Sequence, residues 1–170
     1  MEIISHRGNL TGPSPELENT VASVEMAANF FKVEIDIRKL NGEYFLGHDE
    51  PEHKVSLQWL NYYRDKLFLH CKNVDAYECD SLHDFHRFMH ENEDTVTCSQ
   101  GNVLKHPHFR PLPNSYNMMP ENSEQETLQT VLKSSAVCTD YPLFFQSLKD
   151  MKYSDVMLQS DLITTGKGEQ

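Results

Sequence analysis

Positive charge is in short supply in this chain: 15 Lys and Arg stand against 26 Asp and Glu, a formal net charge of -11 at neutral pH. A surface so acidic excludes nucleic acid as the expected partner, because phosphate backbones need basic surfaces. It also argues against docking on anionic lipid. Long apolar runs are missing too. No stretch approaches the roughly 20 apolar residues of a membrane span, so no stable membrane insertion is expected. The opening Met1-Glu2-Ile3-Ile4-Ser5 has no basic segment ahead of an apolar one, so a secretory leader is not expected. Cysteine is sparse, at positions 71, 79, 98 and 138, with no Cys-x-x-Cys. That spacing excludes a zinc ribbon or a redox dithiol and fits reduced, mostly buried thiols in a cytoplasmic protein. Tryptophan occurs once, as Trp59 between Leu57 and Leu60, a pattern that suits a core position.

What is present is a soluble composition, 38% hydrophobic and 24% charged over 170 residues, enough for one domain with a real core. We expect the domain to span residues 1–157 and the tail 158–170 to fray. Short β-branched runs alternate with helical patterns. Glu2–Ser5 reads as a first strand, and Asn19–Phe31 carries Val21, Val24, Ala27, Ala28 and Phe31 at helical spacing. Val33–Arg38 alternates strictly, and Asn41-Gly42 is a hairpin turn returning into Glu43–Leu46. Ser56 should cap a helix through Tyr63, and Leu67–His70 is a further strand. A helix over Ala76–Phe85, a short strand over Phe85–His90, strands at Thr95–Cys98, Tyr116–Met119 and Ala136–Thr139, and a helix over Glu124–Lys133 complete the pattern. Six to eight short strands alternating with helices predict an α/β fold: a compact TIM-like (β/α) barrel, with several helices trimmed because about 250 residues is usual for the full form.

Polar residues gather at the strand ends: His6, Arg7, Glu34, Asp36, His48, His70, Lys72, His90, Glu91, Glu121 and Asp140. In a parallel barrel those ends form one rim, where active sites are built. Glu34 and Asp36 are two apart on a strand and share a face. Side by side they repel unless a cation lies between them, and hard oxygen donors suit Mg²⁺, Ca²⁺ or Mn²⁺. The bland alternative is a solvated strand face neutralised by Arg38 and Lys39. His6-Arg7-Gly8 brings an imidazole and a phosphate-gripping guanidinium to the end of the first strand. His83, His86, His106 and His108 are expected on the surface, outside the site. His90 and Glu91 reach the rim if their segment is a strand.

The ordered series His6-Arg7-Gly8, Glu18-Asn19-Thr20, Glu34-Ile35-Asp36, Asn41-Gly42 and His48-Asp49 resembles the glycerophosphodiester phosphodiesterase family, within the phosphatidylinositol-phospholipase-C-like barrel phosphodiesterases. The specific match covers roughly the first 50 residues, thinning to Leu69-His70-Cys71-Lys72 and Val137-Cys138-Thr139-Asp140-Tyr141-Pro142. The resemblance implies that His6 and His48 are the acid–base pair, that Arg7 and Lys72 bind the substrate phosphate, and that Glu34 and Asp36 ligate a metal. Glu18 and Asn19 would support these groups from behind, as would His90 and Glu91 where their segment is a strand. The family's third carboxylate ligand is replaced here by His70, a nitrogen donor that shifts preference toward Mn²⁺ or Zn²⁺. The implied function is metal-dependent hydrolysis of a small phosphodiester. A catalytically weak barrel that binds a phosphorylated ligand, and a lipid-directed phospholipase with Tyr141-Pro142-Leu143-Phe144-Phe145 as its apolar lip, are the alternatives.

Overall fold

A computed structural model describes residues 1–106, 112–122 and 131–151. The expected helix over Glu124–Lys133 lies largely outside these residues, as do His108 and the tail from 158. Among the described residues ten strands make one curled, mixed sheet. They are β1 (Glu2–His6), β2 (Lys32–Leu40), β3 (Glu43–Leu46), β4 (His53–Val55), β5 (Leu67–Cys71), β6 (His86–Phe88), β7 (Thr95–Thr97), β8 (Val103–Lys105), β9 (Tyr116–Met118) and β10 (Ala136–Thr139). The described α-helices are α1 (Val21–Ala28), α2 (Leu57–Tyr62), α3 (Val74–Tyr77) and α4 (Pro142–Asp150).

This architecture overturns the expected TIM-like (β/α) barrel. Strands β6, β5, β2, β1, β10, β9 and β8 run parallel in that order, but β2–β3, β3–β4 and β7–β8 pair antiparallel. Among the described residues no ladder joins β6 to β7, and β4, β6 and β7 are each paired on one side only, so the sheet is an open half-barrel rather than a closed ring of helix-covered strands. The cause is chain economy and turn chemistry. Asn41 and Gly42 both take positive φ (52° and 83°), the conformation of a tight hairpin, so β3 folds straight back on β2. The connection from β5 to β6 affords only four residues of helix and a 3₁₀ turn (Asp80–Leu82), where sequence reasoning expected a helix over Ala76–Phe85.

Strand alternation divides the side chains cleanly. On β2, Val33, Ile35 and Ile37 face outward against Val24, Ala27 and Ala28 of α1, joined by Leu67, Leu69 and Cys71 of β5. Each such buried aliphatic side chain stabilises the fold by about 1.5–3 kcal/mol. The helix in this layer begins where Thr20 caps it, its hydroxyl accepting from the Ser23 N–H. The opposite, concave face carries Ile4, Phe68, Phe88, Cys98, Leu104, Met118, Ala136 and Cys138. Continuing along the same period of two, His6, Glu34, Asp36 and His70 follow these residues toward the carboxyl ends of β1, β2 and β5. The same alternation puts His86 inside. It is buried between Phe68 and Tyr116 rather than on the surface as expected, because its side chain takes the inward face of β6. Trp59 is only partly buried against the outer cluster, its indole N–H donating to Glu25.

Candidate metal centre and cleft

Adjacent parallel strands set the centre. In register, His6 of β1 lies beside Glu34 of β2, and Asp36 lies beside His70 of β5. Glu34 and Asp36 are both fully buried, so the solvated-face alternative, with Arg38 and Lys39 as neutralising partners, does not hold.

Asp36 is densely held. Its Oδ2 accepts from Asn19 Nδ2 at 2.9 Å, and its backbone N–H donates to Asn19 Oδ1 at 3.0 Å. Arg7 Nε stands 2.9 Å from Oδ2 as an ion pair, off the line a hydrogen bond needs. On the other side, His70 Nδ1 is 3.0 Å and Lys72 Nζ 3.7 Å from Oδ1. Burial alone would raise the Asp36 carboxyl, but the His70 contact and the Arg7 charge outweigh it and hold it far below the usual carboxylate range.

Glu34 is the opposite case. Neither of its oxygens receives a hydrogen bond. The nearest nitrogens are His70 Nδ1 at 3.6 Å and His6 Nε2 at 3.9 Å. Burial, and then the Asp36 charge, push its carboxyl upward. A buried carboxylate with two bare oxygens costs several kcal/mol unless a cation or proton meets it. Glu34, Asp36 and His70 present one donor atom each within 4.8 Å of one another. One cation with bonds of about 2.0–2.5 Å can touch all three, two oxygens and one nitrogen. The residues present therefore fit a divalent metal.

His6 is fixed through its other nitrogen. Nδ1 lies 2.7 Å from Asp140 Oδ1, which also accepts from Asn9 Nδ2 at 2.8 Å. Burial lowers the imidazole, yet the Asp140 hydrogen bond and the Glu34 charge more than compensate, leaving it raised. Asp140 in turn is oriented by Glu121, whose Oε1 accepts from the Asp140 N–H and the Thr139 hydroxyl. Glu18 bridges Arg7 and Asn9, both at 3.0 Å. Asn19 thus braces Asp36, while Thr20 does the helix capping.

His6, Arg7, His48, His70, Lys72, His90 and Glu91 line one cleft of about 200 Å³, together with Phe88, Leu104, His106, Met118 and Met119. The expected catalytic pair thus shares a wall. His48 is the more exposed imidazole, paired to Asp49 at 2.7 Å. Partial burial, and then the Arg7 charge, lower its affinity for a proton. His90 stands at the rim, stacked on His106 with centroids 4.4 Å apart, so His106 borders the cleft rather than lying outside it as expected. Sequence reasoning assigned no role to Asn9, His106 or Asp140. Asp140 alone carried a signal, its place directly after β10. Compared with protein-family models, curated proteins and solved structures, the chain matches none.

Proposed function

We propose that this chain cleaves small phosphodiesters, such as glycerophosphodiesters, with the aid of a divalent cation held by Glu34, Asp36 and His70. The observation that carries the reading is the pair of bare, buried Glu34 oxygens beside His6 and His70, two residues that line one cleft with His48, Arg7 and Lys72. When bound, the cation would supply positive charge to the phosphate's non-bridging oxygens. Mn²⁺ and Zn²⁺ suit the mixed oxygen and nitrogen donors, and Mg²⁺ or Ca²⁺ the carboxylates.

The chain's own groups take the remaining roles. Arg7 and Lys72 draw the phosphate anion into the cleft and offset the charge that builds on it. His48, held neutral, takes the proton from the attacking hydroxyl, either water or a substrate hydroxyl beside the phosphate. His6, held protonated by Asp140, gives its proton to the departing alkoxide. The opposite shifts of the two imidazoles suit this division of labour. This is the chemistry implied by the resemblance to glycerophosphodiester phosphodiesterases. Four unpaired thiols fit a reducing compartment, and we place the reaction in the cytoplasm. Among the described residues no helix is long and apolar enough to cross a membrane.

The test is incubation of glycerophosphoethanolamine and bis-p-nitrophenyl phosphate with Mg²⁺, Mn²⁺, Ca²⁺ or Zn²⁺, followed by ³¹P NMR. Release of a monoester or a cyclic phosphate, lost in His6→Ala and Glu34→Gln, supports the reading. Binding of phosphate with no turnover under any cation replaces it with a non-catalytic ligand-binding role. One observation favours a lipid-directed form of the same chemistry: Tyr141, Leu143 and Phe144 are exposed directly after Asp140. Flotation with phosphatidylcholine vesicles decides this, and protein left wholly in the bottom fraction removes it.

A further inference from the structure

His48 poses a problem of placement. Its imidazole has a single side-chain partner among the described residues, the solvent-exposed Asp49 next to it in sequence. No helix or strand contains it, since it follows the end of β3. A proton acceptor must nonetheless sit within hydrogen-bond reach of its target, because a misplacement of about 1 Å is enough to cost some hundredfold in rate.

Arg38 supplies what packing does not. It lies on β2 in the same alternating series as Glu34 and Asp36, two residues beyond the second acid. Its guanidinium donates to three consecutive backbone carbonyls of the His48 segment. Nη1 bonds the Gly47 oxygen closely, and Nη2 reaches His48 O at 2.8 Å and Asp49 O at 2.9 Å. The strand and the segment are tied again where the Gly47 N–H donates to Asp36 O at 3.2 Å. Gly47 makes the fold-back possible: at φ 141° a Cβ there would stand 2.1 Å from the Glu50 carbonyl oxygen.

We propose that Arg38 is a positioning residue for His48, fixing the distance between the proton acceptor and the acids of the same strand. The inference rests on the phosphodiesterase reading for its catalytic meaning and on the hydrogen bonds alone for its structural meaning. Three carbonyl dipoles converge on one planar cation. Without it their negative ends repel, and the segment opens into solvent. A lysine cannot substitute fully, because a single ammonium lacks the rigid fork that meets three acceptors at once.

The experiment compares wild type, Arg38→Met, Arg38→Lys, His48→Ala and the Arg38→Met/His48→Ala double variant. Turnover of bis-p-nitrophenyl phosphate with Mn²⁺ is measured alongside the His48 Cε1–H signal in ¹H–¹³C NMR, assigned by its loss in His48→Ala. We expect Arg38→Met to lower kcat about a hundredfold, as His48→Ala does, with KM little changed. The double variant should be no worse than either single one, and Arg38→Lys should recover part of the rate. The His48 signal should move and sharpen in Arg38→Met, while the thermal shift on Mn²⁺ addition, which reports the Glu34 centre, persists. Arg38→Met within twofold of wild type while His48→Ala is inactive overturns the proposal. If wild type turns over nothing, the phosphodiesterase reading fails by itself. The NMR comparison then decides the Arg38 contact, and an unmoved His48 signal overturns it.

Discussion

His6 and Asp140 are 134 residues apart in sequence and 2.7 Å apart in space, imidazole Nδ1 against carboxylate Oδ1. The parallel pairing of β1 with β10 makes this contact, setting Ser5 beside Thr139 and so bringing the next residues of the two strands together. A carboxylate on one ring nitrogen fixes the tautomer and steadies the charged form, leaving Nε2 as the end turned toward Glu34, 3.9 Å away.

Asp140→Asn should therefore lower kcat by about two orders of magnitude with KM nearly unchanged, since the acid loses its orientation and its charge support. The amide keeps the shape, so unfolding curves should overlay those of wild type within about 1 kcal/mol. Steady-state kinetics beside urea denaturation check both. A variant equally active would remove Asp140 from the catalytic apparatus.

Glu34→Gln separates the cost of the buried acid from its use. Removing a bare carboxylate relieves a desolvation penalty, so the metal-free variant should melt no lower than wild type at neutral pH. Wild type should gain about 2.7 kcal/mol at a hundredfold excess of cation over Kd, and the variant should gain almost none. Differential scanning fluorimetry with and without Mn²⁺ measures the two effects together.

The far end of the concave face predicts a pH dependence of stability. Burial, and then the Lys32 charge, pull the His86 imidazole from 6.5 down to about 4 in the folded chain. The unfolded chain therefore binds the proton that the fold refuses. The contribution is present in full above 6.5 and is lost as pH falls toward 4. A loss on the order of 3 kcal/mol is expected over that window. His86→Phe should flatten the stability curve there, and guanidinium midpoints at several pH values will reveal whether it does.

Among the four thiols, one should react first. Burial holds Cys71 and Cys98 up at about 12 and Cys138 higher than its ordinary value. Cys79 is brought down to about 7, burial being overcome by the Tyr44 hydroxyl at 3.4 Å and Lys39 Nζ at 3.0 Å. Iodoacetamide on the native protein at pH 7.5 should label Cys79 at least tenfold faster than the others, and Lys39→Met should slow it. Peptide mass spectrometry reads the order of labelling.

Local pattern was a reliable guide where one element decides the outcome. Strict alternation over Val33–Arg38 predicts a strand that sends Glu34 and Asp36 to one face, and β2 does so. Asn41-Gly42 predicts the hairpin, because only residues tolerant of positive φ make that turn. Over Phe85–His90 the expected short strand is there as β6, but the surface position expected for His86 is not. His83, His86 and His90 fit a helix face as well as a strand, and only the pairing of β6 with β5 places His86 in the interior.

The sequence by itself determined that Glu34 and Asp36 share one face of a strand and that Asn41-Gly42 turns the chain back beside it, since side-chain period and turn residues are local properties of the chain. Tertiary structure alone decided that the sheet stays an open, mixed half-barrel, that Asp140 meets His6, and that Arg38 gathers the carbonyls around His48. Those outcomes depend on strand order and on contacts between distant segments, which spacing along a chain does not encode.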